Sequence, residues 1–331
     1  HPAGIALGLE RVGAVYRAMG LGDPPFPVIT VAGTNGKGSS VAMLEAVYAA
    51  AGYRTGAYFS PHLLRYNERV RIAGRDVDDA PLCAAFAAVE AARGGVALTY
   101  FEFGTLAALH LFHAARPDVV ILEVGLGGRL DAVNVRDSDA ALITAVDIDH
   151  TDYLCDDREA IGREKAGIMR AGRPAVCSDP QPPASLEAHA ARVGAPLVRL
   201  GRDYGYEPAG AGWSWWGGGQ RLGGLPVPNL AGRVQLQNAA GALAVVQALA
   251  RRLPMAPHDL ARGLTLARLA GRLQALPGVP QRLADVAHNP QAAGVLAAAL
   301  RAPPCAGKTH AVIGMLKDKD MAGVVQDMAG A

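Results

Sequence analysis

The segment Val31-Ala-Gly-Thr-Asn-Gly-Lys-Gly-Ser39 places glycines, a lysine and a hydroxyl where the apolar run Val28 to Val31 hands over to a helical stretch, Ser40 to Ala50. Backbone N–H groups of such a turn cradle phosphates, the helix N-terminus adds positive potential, and a lysine such as Lys37 neutralises β- and γ-phosphoryl charge. The spacing departs from GxxxxGK[ST], since position 31 is Val and Gly38 separates Lys37 from Ser39. A plain glycine turn is the competing reading. The coincidence of strand, lysine, hydroxyl and helix favours a nucleoside triphosphate.

Four further clusters follow apolar runs. Glu123 closes Val119-Val-Ile-Leu-Glu123 and precedes Gly125-Leu-Gly-Gly-Arg-Leu-Asp131. A carboxylate at the end of a buried parallel strand lies where open α/β sheets bind ligands, and its hard oxygens suit Mg²⁺. A capping or ion-paired glutamate is the alternative. Asp147-Ile-Asp-His-Thr-Asp152 follows the run Ala140 to Val146, so His150 and its acidic neighbours could complete a divalent-metal site or be structural. Asp285-Val-Ala-His-Asn-Pro290 follows Gly271-Arg272. Asp285 could accept ribose hydroxyls and Arg272 could clamp a γ-phosphate, with a turn closed by Asn-Pro equally compatible. The basic segment Ser60-Pro-His-Leu-Leu-Arg-Tyr-Asn-Glu-Arg-Val-Arg71, which follows Gly56 to Phe59, and the alternating charges of Arg163-Glu-Lys-Ala-Gly-Ile168 read by themselves as solvated surface.

The elements that must position these groups alternate. Apolar runs at 28–31, 119–124, 140–146 and 175–177 are interleaved with helical segments at 40–50, 81–93 and 104–115, which implies α/β architecture: a mostly parallel sheet with helices on both faces. The Trp- and Gly-rich stretch 209–224 fits an antiparallel excursion at the sheet edge or a loop. A helix is expected at 238–251, and the prolines and glycines between 254 and 277 suggest a connection into a second, smaller Rossmann-like α/β unit. The expected division is 1–270 and 271–331. In the second unit a strand at 283–286, a helix at 292–300 and a strand at 310–313 begin a β-α-β pattern that stops short of a complete domain.

Bulk properties narrow the function classes. In 331 residues, half of them hydrophobic, 32 basic and 30 acidic side chains are intermixed, so nothing advertises nucleic acid or an anionic membrane. Four scattered cysteines without a CxxC pair argue against a disulfide framework or structural zinc, and neither a signal segment nor a long apolar run is visible. A cytoplasmic monomer acting on small molecules is expected.

Taken in order, GTNGKGS, SPHLLRYNERVRI, TYFEF, EVGLGGRLDA, DIDHTDYL, REKAGI, Gly271-Arg272, DVAHNP and IGMLKDKD resemble the bifunctional dihydrofolate synthase/folylpolyglutamate synthase family of the Mur ligase superfamily, over essentially the whole chain. The resemblance implies an ATP-dependent ligase that adds L-glutamate to dihydropteroate and to reduced folates through an acyl phosphate. It implies ATP contacts from Thr34, Asn35, Gly36, Lys37, Gly38, Ser39, Asn238, Arg272, Asp285 and His288. Two Mg²⁺ would be held by Ser60, Glu123, His150 and a CO₂-derived carbamate on Lys165, with Lys37, Lys165, His150 and Arg272 serving catalysis. Pteroate-binding segments would be Ala6, Leu7, Gly8 and Leu9; Thr99, Tyr100, Phe101 and Glu102; and Leu130, Asp131 and Ala132. Ala6 stands where an acidic residue is common in the family and Ala270 where proline is common. Competing readings are a peptidoglycan-type Mur ligase, which would need a nucleotide-sugar domain ahead of residue 31, a noncatalytic folate or nucleotide binder, and a switch GTPase, for which no guanine-reading segment is evident.

Overall fold

The computed structural model describes residues 7–148, 157–301, 307–317 and 319–329. After α1 (Glu10–Ala18), β1 (Val28–Ala32) leads through the glycine turn into α2 (Lys37–Ala50) and β2 (Thr55–Tyr58). Two short strands, β3 (Val70–Ile72) and β4 (Arg75–Asp76), precede α3 (Asp79–Arg93), α4 (Tyr100–Ala115) and β5 (Val119–Glu123). Then come β6 (Ala140–Ile143), α5 (Arg158–Ala166), β7 (Ala175–Cys177), α6 (Ala184–Val193) and β8 (Leu197–Arg199).

Among the described residues these strands form an eight-stranded sheet in the order β4-β3-β2-β5-β1-β6-β7-β8. It is parallel from β2 to β8, and only β3 runs the other way, pairing antiparallel with β2 and β4. Every residue of β1, β5 and β6 is buried, as expected of strands covered on both faces. One core holds the side chains of α1, α3, α4, α5 and α6; the other holds those of α2. The chain visits β1, then β2, then returns to β5 between them before crossing to β6. The carboxyl ends of β1, β5 and β6 therefore flank a crevice where loops leave in both directions, the usual ligand position in open α/β sheets.

The tryptophan-rich stretch is ordered, but it is not an extension of the main sheet. It forms a separate antiparallel sheet, β9 (Tyr204–Ala209), β10 (Gly212–Gly217) and β11 (Gln220–Pro226). Alternation along β10 turns Trp213 and Trp215 inward, and Trp215 Nε1 donates to Ala240 O at 3.1 Å. The sheet thus closes over α7 (Val234–Ala248), which with α8 (Pro257–Leu266) packs on α2. A Cβ at Gly263 would strike the backbone of Val47, so the crossing of α2 and α8 depends on that glycine.

Helix α8 falls where the prolines suggested only a connection: Pro257 occupies the first turn, where a missing N–H costs nothing. Helix α2 begins at Lys37 rather than Ser40, and α4 at Tyr100 rather than Gly104, so parts of two expected binding segments lie inside first helical turns. Beyond residue 270, β12 (Gln274–Leu276) and β13 (Arg282–Ala284) pair antiparallel, followed by α9 (Pro290–Arg301) and α10 (Met321–Met328). The expected strand at 310–313 has no ladder partner among the described residues and is irregular, because strand geometry persists only where another strand takes its hydrogen bonds.

Trp215 is the tie between the small sheet and α7. Replacing it with alanine should lower the unfolding free energy by about 3–5 kcal/mol, the usual cost of emptying a large aromatic site, read as a reduced midpoint in urea unfolding.

Candidate functional site

The glycine turn is shaped by backbone conformations that only glycine adopts easily. Gly33 has φ 149° and Gly36 has φ 90°. A side chain at Gly36 would also meet Asn238 Oδ1 at 2.5 Å. Gly36 is the N-cap of α2 and brings no capping side chain, so the first amide groups of the helix are available to an anion. The turn is anchored to the strand beside it: Thr34 N donates to Ala145 O at 2.7 Å, Thr34 Oγ1 to Asp147 O at 2.8 Å, and Thr144 Oγ1 to Asn35 O at 2.7 Å. Lys37 Nζ folds back onto Gly33 O and Thr34 O at 2.9 and 3.1 Å, bracing the turn from inside.

Glu123, 4% exposed at the end of β5, faces this turn, and its Oε2 accepts Ser60 N at 3.0 Å. Burial pushes its carboxyl pKa up, opposed by Lys37, the Ser60 N–H, Arg272 and Arg69. Asp131, also buried, accepts Leu126 N at 2.8 Å and Val133 N at 3.0 Å, yet desolvation outweighs these bonds and raises its pKa to about 7. Lys165 is 3% exposed, so it is not part of the solvated face its alternating neighbours suggested. The glycines of 125–128 let that loop lie on α5: a Cβ at Gly128 would touch Glu164 O at 2.9 Å and Lys165 Cα at 3.2 Å.

Two adjoining cavities hold these groups. The larger, about 750 Å³, is walled by the glycine turn including Lys37 and Gly38, Ser60, Arg69, the 99–102 segment, Glu123, the Leu130–Ala132 loop, Lys165 and Arg272. The smaller, about 460 Å³, is walled by Asn35, Gly36, Ser39, Asp147, Asn238, Arg272, Asp285 and His288. Asn35, Gly36, Arg272 and His288 line both. The structure thus brings the expected ATP residues together from both sides of residue 270, and Thr34 and Lys37 join them through the larger cavity. Asn35 bridges that boundary as well, through a reciprocal amide pair with Asn289 at 3.1 and 3.2 Å and a bond to Gln291.

Several expected residues have local duties. Asp285 accepts Leu273 N and Ala287 N, both at 2.8 Å, and thereby shapes the turn after β13. His288 Nδ1 lies 2.9 Å from Val286 O. Thr99 and Glu102 form a capping box on α4, and Glu102 also accepts Arg11 at 2.9 Å, so its carboxylate is engaged within the protein. Of the early segment, Leu7 reaches the larger cavity, whereas Leu9 serves as N-cap of α1 and neither it nor Gly8 lines the wall. Ala6 and His150 lie outside the described residues.

Sequence reasoning assigned nothing to Thr144 or Asn289. A hydroxyl just after β6 was a weak signal for the former. The Asn-Pro step at the start of α9 concealed the latter.

The donor set suits a divalent cation. Glu123 and Ser60 present hard oxygens beside a helix N-terminus, a partial shell of the kind Mg²⁺ completes with water and phosphate oxygens. Among the described residues no three His, Cys, Asp or Glu side chains converge on one point.

A family model for the Mur ligase middle domain matches residues 31–203. The dihydrofolate synthase/folylpolyglutamate synthase of Escherichia coli K12 is 47% identical over 325 residues, spanning 98% of this chain and 76% of that protein. The chain belongs to the dihydrofolate synthase/folylpolyglutamate synthase family. Solved members of this family superpose closely. E. coli FolC in complex with DHPP and ADP aligns with a TM-score of 0.93 at 47% identity, over 99% of this chain and 78% of that one. A bifunctional folylpolyglutamate synthase/dihydrofolate synthase with Mn, AMPPNP and L-glutamate bound aligns at 0.91 and 50% identity, over 98% and 78%.

Two measurements probe the geometry of this family member. Gly36→Ala should weaken ADP binding at least about ten-fold by titration calorimetry, since both the left-handed backbone and the approach of Asn238 exclude a Cβ. Asp131 binds its proton more tightly folded than unfolded, so its contribution to stability falls as pH rises from about 4 to about 7. Asp131→Asn should remove that slope, up to about 1.4 kcal/mol per pH unit, seen in urea midpoints of both proteins across pH 5 to 8.

Proposed function

We propose that this protein is an ATP-dependent ligase joining L-glutamate to dihydropteroate and to the γ-carboxylate of reduced folates. The observation that carries the reading is the pair of adjoining cavities meeting at Asn35, Gly36 and Arg272: the smaller holds the expected nucleotide contacts Asn238, Asp285 and Ser39, the larger the buried carboxylates Glu123 and Asp131, three lysines and an aromatic wall. Relatives of this fold bind ADP with DHPP, or AMPPNP with Mn and L-glutamate.

In the proposed reaction the acceptor carboxylate attacks the γ-phosphorus of ATP, the bond to the β-bridging oxygen breaks, and ADP leaves. The glutamate amine then attacks the acyl carbon, and inorganic phosphate departs as the amine gives up its proton. Both reactants of the first step are anions, so the chain must supply positive charge where they meet. Lys37 and the α2 amides face the transferred phosphoryl group, and Arg272, at the junction of the cavities, spreads its developing charge. Ser60, Glu123 and, by resemblance, His150 would hold Mg²⁺, which when bound neutralises phosphate oxygens. Lys165 would join them after its neutral amine adds to CO₂ and loses a proton, which converts a repelling cation into a carboxylate ligand. Asn238, Asp285 and His288 line the chamber assigned to the nucleoside. Leu7, Thr99 to Phe101 and Leu130 to Ala132 line the chamber assigned to the pteroate.

The proposal places the reaction in the cytoplasm and on a monomer, with small molecules as the partners. Two free cysteines among the described residues fit a reducing compartment.

Phosphate release from MgATP and L-glutamate, with dihydropteroate or tetrahydrofolate added, tests this reading. Release should require an acceptor and fall by at least about 100-fold in Lys37→Ala, the scale of losing a transition-state charge contact. Release indifferent to acceptor would overturn it.

A further inference from the structure

Arg69 closes the short helical turn Tyr66–Arg69 and is 7% exposed, yet it makes no ion pair among the described residues. Its Nε donates to His62 Nδ1 at 2.8 Å. Its guanidinium lies 5.3 Å from the Tyr66 ring centroid and 5.6 Å from that of Tyr100. His62 Nδ1 accepts that bond, so this ring nitrogen carries no proton. Tyr58 also faces Arg69. Aromatic planes and an imidazole orient a guanidinium without cancelling its charge, and a buried cation left without a counter-anion is costly.

The neighbouring Arg71 shows the contrast. It too lines the larger cavity, but Glu45 at 3.2 Å and Asp76 at 3.0 Å neutralise it. Glu123, on which Arg69 acts at longer range, is also faced by Lys37 and Arg272. Arg69 is therefore an oriented cation with no carboxylate in ion-pair contact among the described residues, in the wall of the larger cavity and not of the smaller.

We infer that Arg69 is the carboxylate receptor of the acceptor chamber. With Nε spent on His62, its terminal amino groups hold the carboxylate that is to be phosphorylated, and the Tyr66 and Tyr100 rings fix the plane of the fork. His62 is a positioning residue for it. The inference rests on the ligase reading, since it assumes a carboxylate acceptor beside the phosphate turn. It explains why so basic a segment follows β2: Arg65 and Arg71 are paired with carboxylates, and Arg69 waits for substrate.

The test pairs ligand and protein changes. Dissociation constants are measured for dihydropteroate and for the analogue with hydrogen in place of its carboxyl, on the wild type, Arg69→Gln and Arg69→Lys, with ADP binding measured in parallel. The wild type should prefer the carboxylate by roughly 10- to 100-fold, the worth of a charge-assisted hydrogen bond. Arg69→Gln should lose that preference while binding the analogue and ADP as before, and Arg69→Lys should keep part of it. A preference retained in both variants, or a loss of ADP affinity in its place, overturns the inference while leaving the ligase reading intact. If the folded wild type binds neither pterin compound, both fall together. Should Arg69→Gln not fold, Tyr100→Leu, at a 48% exposed position, should reduce the preference by loosening the fork, and an unchanged preference there would also overturn the inference.

Discussion

A carboxylate buried at the end of a parallel strand costs several kcal/mol unless donors and cations face it, and Glu123 is the group around which distant parts of this chain converge. Ser60, after β2, gives a backbone N–H; Lys37, after β1, and Arg69, before β3, give charge; Arg272 reaches in from beyond residue 270. Ser60 and Arg69 lie in the connection from β2 to β3, Lys37 opens α2 after β1, and Arg272 lies between α8 and β12. The arrangement leaves the site net cationic, the condition for bringing two anionic reactants together. It also ties Arg272, whose segment pairs with no strand of the main sheet, to the end of β5, so the cleft is held partly by electrostatics and partly by the Asn35–Asn289 amide pair.

The glycine turn supplies the rigidity that charge alone does not. Gly33 and Gly36 take backbone conformations closed to other residues, Thr144 and Thr34 stitch the turn to the end of β6, and Lys37 braces it from within. An anion meeting these amides finds donors already aimed. Little reorganisation is then needed, and preorganised dipoles are what make such sites effective. The same lysine that props the turn is the group whose charge the phosphates would attract, so ligand binding exchanges two carbonyl contacts for phosphate ones.

Fold and phosphate turn were legible in the sequence because their signals are local: apolar runs of strand length, a glycine pair and a lysine before a helix. The first turn of α2 was not, since Lys-Gly-Ser-Ser has poor helix propensity and is held by packing under α7 and α8. Helix α8 was hidden by Pro257, which reads as a breaker yet sits at the one helical position that tolerates it. Lys165 was invisible for a different reason. Its burial depends on glycines some forty positions away that let a loop lie on α5, and no helical periodicity records that. Arg69 shared a charge-rich segment with Arg71, and only the third dimension separates an arginine ion-paired to two carboxylates from one with no ion pair among the described residues.

The two cavities also constrain the order in which ligands assemble. Asn35, Gly36, Arg272 and His288 line both, so a nucleotide in the smaller cavity presents its terminal phosphate to the larger through a wall built of its own contacts. An acceptor in the larger cavity must place its charged end beside that phosphate and its apolar body along Phe59, Tyr100 and Phe101. The first anion to bind offsets part of the positive potential that the second meets, and the two anions then repel each other. On charge alone, binding of either should therefore make the other's charge more costly to place, and coupling of that kind is reciprocal. Residues at the junction, Arg272 above all, would set its size, because they alone face both ligands at once.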